Sequence, residues 1–239
     1  MVRSFLWGVL VLFSAPLFAQ NNFEGVITVL YTNEKSTSIN CEIKIKGNEV
    51  YIKQNENGNK KYDRFVINLE SRELFTVSAK DRKVIIKYHL DSLLNFYDRN
   101  QLKPGFSLSE DFNFKATDKV KKENNLSLTK YTGETDLHKA TIWVGETGAP
   151  LKQLIPFLRL LGSWNEADGL AKGDILEAEV SGKVSKKDSR VLVSVSKESV
   201  AKEMFLLPKT YLQKDFAKLM NTDRNNPQLK MIIQTFAEF

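Results

Sequence analysis

The stretch INCEIKIKGNEVYIK, residues 39–53, alternates apolar Ile39, Cys41, Ile43 and Ile45 with polar Asn40, Glu42, Lys44 and Lys46. A period of two places all four apolar side chains on one face of a half-buried strand. Gly47-Asn48 then supplies the residues a tight reversal needs, and EVYIKQ (49–54) reads as the returning strand. The same signal extends in both directions. FEGVITVLYT (23–32) precedes the stretch, and RFVINL (64–69), ELFTVS (73–78) and KVIIKY (83–88) follow it across short turns. Six strands at this spacing predict a meander of consecutive antiparallel neighbours.

Beyond residue 88 the period changes. LDSLLNFYDRNQLKPG (90–105) offers Asp91 as a cap and brings Leu94, Phe96 and Tyr97 together on a helical turn before Pro104-Gly105 ends it. LSLTKYTGET (126–135) and KATIWVG (139–145) return to strand. APLKQLIPFLRLLGSW (149–164) spaces Leu151, Leu154, Ile155, Leu158 and Leu161 as a helix face, with Phe157, Leu160 and Trp164 on its flanks and Pro156 as a kink or interruption. DILEAEVSGKV (174–184) and SRVLVSVSK (189–197) form a hairpin. KEMFLLP (202–208) reads as a last short strand stopped by Pro208, which opens a helix carrying Tyr211, Leu212, Phe216 and Leu219. Asn226-Pro227 begins a second helix with Leu229, Ile232, Ile233 and Phe236.

The N-terminus carries an address. Arg3, the apolar run Phe5 to Phe13, the break at Ala15-Pro16 and a small residue at Ala19 have the layout of a secretory signal peptide cut after Ala19. The run is shorter than the roughly 20 apolar residues a membrane-spanning helix needs, and Gln20 stands where a lipoprotein would have Cys. The expectation is a signal peptide over 1–19 and a single domain over 20–239. The mature chain would be periplasmic or secreted, without a lipid anchor or transmembrane segment.

Removing residues 1–19 costs Arg3 and no acid, so the net charge of +6 falls by one. The charges are interspersed, and even the lysine-dense KATDKVKKENNLSLTK (115–130) reads as a solvated loop and strand face, so nucleic acid is not an expected partner. Cys41 is the single cysteine, which excludes an internal disulfide, and its place in the alternation makes it a core residue. His89 and His138 stand far apart with no metal-ligand spacing, and no nucleophile elbow or phosphate loop occurs. Glu146, Glu166, Asp168 and Asp174 read as exposed loop acids rather than a catalytic pair. Enzymatic activity, metals and cofactors are therefore not expected.

The meander with FEGVITV, IKIKGNEVYIK and FVINLESRELFTVS, the internal helix, the returning hairpin and the closing Phe205, Leu207, Pro208 and Tyr211 together resemble the lipoprotein-carrier-like (LolA/LolB-like) half-barrels. They are closer still to secreted domains of unknown function that share that layout. The resemblance implies an α+β fold, a strongly curved antiparallel sheet with helices packed on its concave face. In the carriers that concavity receives acyl chains. The helical segment at 149–172 and the two helices after residue 207 depart from the carriers. On this reading Trp143, Leu154, Phe157, Leu158, Leu161, Trp164 and Phe205 are the candidate apolar lining for a lipid or lipidated protein partner. The alternative is a non-enzymatic envelope interaction module whose concavity is filled by its own helix at 151–164.

Overall fold

Strands form where the apolar alternation runs. β1 (Glu24–Thr32), β2 (Ser38–Lys46), β3 (Glu49–Lys53), β4 (Arg64–Asn68), β5 (Glu73–Ser78) and β6 (Val84–His89) each pair antiparallel with the next, as the meander predicts. The computed structural model describes residues 22–32, 38–53, 64–78, 83–99, 107–160, 165–166, 172–184 and 188–218. The reversal between β2 and β3 uses Gly47 at φ 61°, a conformation that costs glycine nothing, and the Gly47 N–H donates to Phe23 O at 2.9 Å.

α1 (Leu90–Arg99) leaves β6 directly and buries Leu90 and Leu93. After β7 (Ser107–Leu108) come β8 (Lys115–Glu123) and β9 (Leu126–Glu134), a hairpin turned by Asn124 and Asn125 at φ 48° and 64°. The lysine-rich segment is thus a full edge strand. β10 (His138–Gly145), α2 (Leu151–Leu160), β11 (Asn165–Glu166), β12 (Asp174–Gly182) and β13 (Asp188–Lys197) follow, and β14 (Leu212–Asp215) is the last among the described residues. Twelve strands make one sheet in the order β14-β6-β5-β4-β3-β2-β1-β13-β12-β10-β9-β8, while β7 and β11 pair separately. β13 lies against β1 over Gly25–Thr32, so the meander and the second half of the chain are stitched together mid-sheet.

Cross-strand partners share a face. Ile27, Val29, Ile43, Ile45, Ile142, Ala178 and Val191 all point to one side, where Leu154, Ile155, Phe157 and Leu158 of α2 join them in one buried apolar cluster. The predicted helix is therefore present and runs uninterrupted through Pro156. The corner that launches it is tied down by Asp174, whose Oδ2 accepts from the Thr147 N–H at 3.1 Å and the Thr147 hydroxyl at 2.6 Å.

Three expectations change. KEMFLLP is not a strand: Lys202–Phe205 is a 3-10 turn. The helix expected from Pro208 begins later: residues 208–215 are a turn and then a strand, because Tyr211 N–H bonds back to Pro208 O at 3.3 Å and Leu212 N–H caps Lys83 O at 2.8 Å, and residues 216–218 are helical, with Leu219 outside the described residues. β14 pairs parallel with β6 and satisfies backbone groups that an edge strand would leave open, which makes the sheet mixed rather than antiparallel. The fold is mostly β, one large open sheet with few helices among the described residues. The predicted signal peptide and the helix after Asn226-Pro227 lie outside the described residues.

Residues 198–211 carry the chain from β13 to that far edge as a strap across the face opposite α2. Val200 N–H donates to Glu24 Oε1 at 2.8 Å, Lys46 Nζ donates to Val200 O at 3.0 Å, and Arg64 Nη2 donates to Leu206 O at 2.9 Å. Glu24, Lys46 and Arg64 all sit at register positions facing away from α2. On the same face Val66, Val77 and Ile85 are buried, as are Val200 and Phe205 of the strap.

Candidate functional site

The strap covers one half of this face, over β1 to β6. The other half, built by β1, β13, β12 and the end of the β8–β9 hairpin, holds a pocket of about 300 Å³. Register builds its floor from two rungs. Leu30 lies opposite Leu192, and one same-face step along, Thr28 lies opposite Ser194. Leu176, the extra residue at the irregularity where Trp143 pairs Glu177 and Val144 pairs Ile175, adds a third leucine. Leu126 and Leu128 of β9, Glu123 at the end of β8 and Asn124 of the turn form the opposing wall, and Val193 and Val195, whose register positions are those of the α2 side, also border it between Leu192 and Ser194.

One end of the pocket carries a charge network. Lys121 Nζ meets Glu177 Oε2 at 2.6 Å and Glu123 Oε2 at 2.9 Å, and Arg190 Nη2 meets Glu177 Oε1 at 2.7 Å. The Lys121 ammonium also lies 4.7 Å from the centre of the Trp143 ring, with Lys130 at 5.9 Å. Burial works to raise the Glu177 carboxyl, but the bonds from Lys121 and Arg190 outweigh it and hold it below the ordinary carboxylate range. Burial likewise works to lower Lys121, and its two carboxylate partners outweigh that and raise it.

The seven candidate lining residues divide. Leu154, Phe157 and Leu158 are buried in the cluster on the α2 side. Trp143 is half-buried on the opposite face of β10 from Ile142 and Val144, where it supports Lys121. Phe205 is buried in the strap. Leu161 and Trp164 lie outside the described residues. None of the five that are described lines the 300 Å³ pocket. Of the loop acids, Asp174 holds the Thr147 corner, Glu146 is exposed, Asp168 lies outside the described residues and the Glu166 side chain is not described. His89 is exposed at the end of β6 and His138 half-buried at the start of β10. Cys41 is buried, and burial pushes its thiol up to about 12.

The pocket was not visible in the sequence as a site. Its leucines come from four strands, and each looks like an ordinary strand residue. The one available signal was that Leu30 and Leu192 sit out of phase with the buried alternation of their own strands. Among the described residues no helix is long and apolar enough to cross a membrane.

No family model matches the chain, and no curated protein matches it. Among solved structures, the chain is similar to PNGF-II, at 12% identity over 90% of this chain with a TM-score of 0.42, and it spans about a third of that protein's length. It is similar to an uncharacterized conserved protein from Thermus thermophilus, at 6% identity over 81% of this chain and 92% of that one, TM-score 0.40. It is also similar to a LolA superfamily protein from Nitrosomonas europaea, at 12% identity over 79% and 91% of the two chains, TM-score 0.30. These are likenesses of fold at low identity, and no residue role passes from them.

Proposed function

We propose that this is an exported binding protein, one domain over residues 20–239, that takes a small apolar or amphiphilic ligand on the sheet face opposite α2. It carries no catalytic step. The observation that supports the reading is the 300 Å³ pocket walled by leucines from two halves of the sheet, a volume at the lower end of small-ligand sites. The half-barrel curvature implied by the carrier resemblance finds support in Lys121. Its strand β8 is separated from β12 by β10 and β9, a flat distance of about 14 Å at the usual strand spacing. Lysine and glutamate side chains must be fully extended toward each other to span that width on a flat sheet, and curvature toward the Trp143 face eases the 2.6 Å contact of Lys121 with Glu177. In this reading the ligand-accepting concavity is on the Trp143 face, with α2 on the reverse.

The test is titration of purified residues 20–239 with Nile red, an uncharged apolar dye. Saturable uptake is expected, and it is lost in Leu192→Arg, which projects a charge across the leucine rung. Wild-type protein that takes up no dye overturns the reading, as does uptake that Leu192→Arg leaves unchanged. Export is tested separately by intact mass of the protein recovered from its native compartment. A chain beginning at Gln20 is expected, and retention of residues 1–19 overturns it.

A further inference from the structure

The pocket is polarised along β1 and β13, and its polarity specifies a ligand head group. Leu30 and Leu192 make an apolar rung, and the next rung on the same face presents the hydroxyls of Thr28 and Ser194 directly opposite one another. Among the described residues neither hydroxyl has a hydrogen-bond partner. Two hydroxyls side by side can each donate and accept, and Asn124 at the hairpin turn adds an amide to the polar end. The charged groups that line the pocket are Glu123 and Glu177, both acids. The cations beside them are engaged already, Lys121 by both carboxylates and Arg190 by Glu177.

Resting on the reading of this pocket as a ligand site, we propose that its ligand is an uncharged amphiphile whose head carries hydroxyl groups. The tail lies on the leucine rung under Leu126 and Leu128, and the head meets Thr28 and Ser194. A free fatty acid is disfavoured for a physical reason. Its carboxylate would arrive beside Glu123 with no unengaged cation lining the pocket, and would pay desolvation without a compensating pair. An uncharged hydroxylated head exchanges water for the two hydroxyls and loses nothing to the acids.

The test is displacement of Nile red from residues 20–239 by a monoacylglycerol and by the fatty acid of the same chain length, at neutral pH. The monoacylglycerol is expected to bind about tenfold more tightly, the factor of one or two net hydrogen bonds. Thr28→Val combined with Ser194→Ala, both tolerated by strands, is expected to collapse that preference, with thermal melting confirming the fold. Glu123→Gln is expected to narrow the preference from the other side, by improving fatty-acid binding. A wild-type protein that binds Nile red but takes the fatty acid equally well or better overturns this proposal alone. So does a preference that survives the double substitution. Failure to take up Nile red at all overturns the proposed function, and this inference with it.

Discussion

Cys41 lies on the α2 side of β2 among Val29, Ile43 and other buried residues, with its thiol pushed up to about 12. Roughly one thiol in ten thousand is then ionised near pH 8, and the thiolate is the reactive form. A thiol reagent is expected to label native protein slowly and denatured protein quickly; fast native labelling would contradict the burial. Cys41→Ala should cost about 1 kcal/mol, whereas Cys41→Asp should unfold the sheet by burying an unpaired charge. The opposite face behaves differently with pH, through Lys121 and Glu177. Glu177 is depressed in the fold, so its contribution is whole above the ordinary value of 4.5 and fades as pH falls through the lower folded value. Lys121 is raised, so its contribution is whole below 10.5 and fades as pH rises through the higher folded value. The hairpin end should be held best between those limits. Glu177→Gln should reduce the acid-side loss, leaving the shares of Glu24 and Glu73, which are also held below the ordinary carboxylate range, while costing about 1 kcal/mol or less, since Lys121 and Arg190 remain partly solvated. Thermal melts of both proteins from pH 3 to pH 7 measure this; an unchanged acid limb in the variant would refute the assignment.

At the scale of elements, α2 is packing rather than cover. Leu154 and Leu158 are fully buried in the cluster that also contains Ile142, Ala178 and Val191. Leu158→Ala is therefore expected to cost about 2–5 kcal/mol, a large share of a typical stability of about 5–15 kcal/mol, read from chemical denaturation. A variant of near wild-type stability with altered Nile red uptake would instead mark α2 as a lid. Strands and α2 were legible in sequence because each carries its own period: β1 to β6 at two, α2 at three and four. The segment 202–215 was not. Phe205 and Leu206 look like strand residues and Tyr211 and Leu212 look helical, but their conformation is imposed by distant partners, and only at Phe216 does the expected helix appear. Arg64 fixes Leu206, Lys83 fixes Leu212, and Phe216 packs 4.9 Å from the Tyr88 ring. Local propensity loses wherever an open sheet edge offers backbone bonds. The pocket escaped for the same reason, since register between strands far apart in sequence assembled it.

At the scale of the molecule, a sheet of twelve strands has two edges to protect, and it protects them differently. β14 covers β6 on one side. On the other, β8 exposes Lys115, Lys119 and Lys122 and breaks register between Ala116 and Val120, features that discourage another chain from pairing there. The mid-sheet seam between β1 and β13 joins the meander to the second half of the described chain: neither half of the sheet contains both strands of the seam. The strap adds a temporal consequence. Glu24, at the start of β1, is bonded to Val200, and β14 docks on β6, more than a hundred residues before it in the chain. Contacts that span nearly the whole described chain make folding slow, because loop closure must precede the bonds that reward it. The described sheet is therefore incomplete at its β6 edge until residues 212–215 are available to pair there.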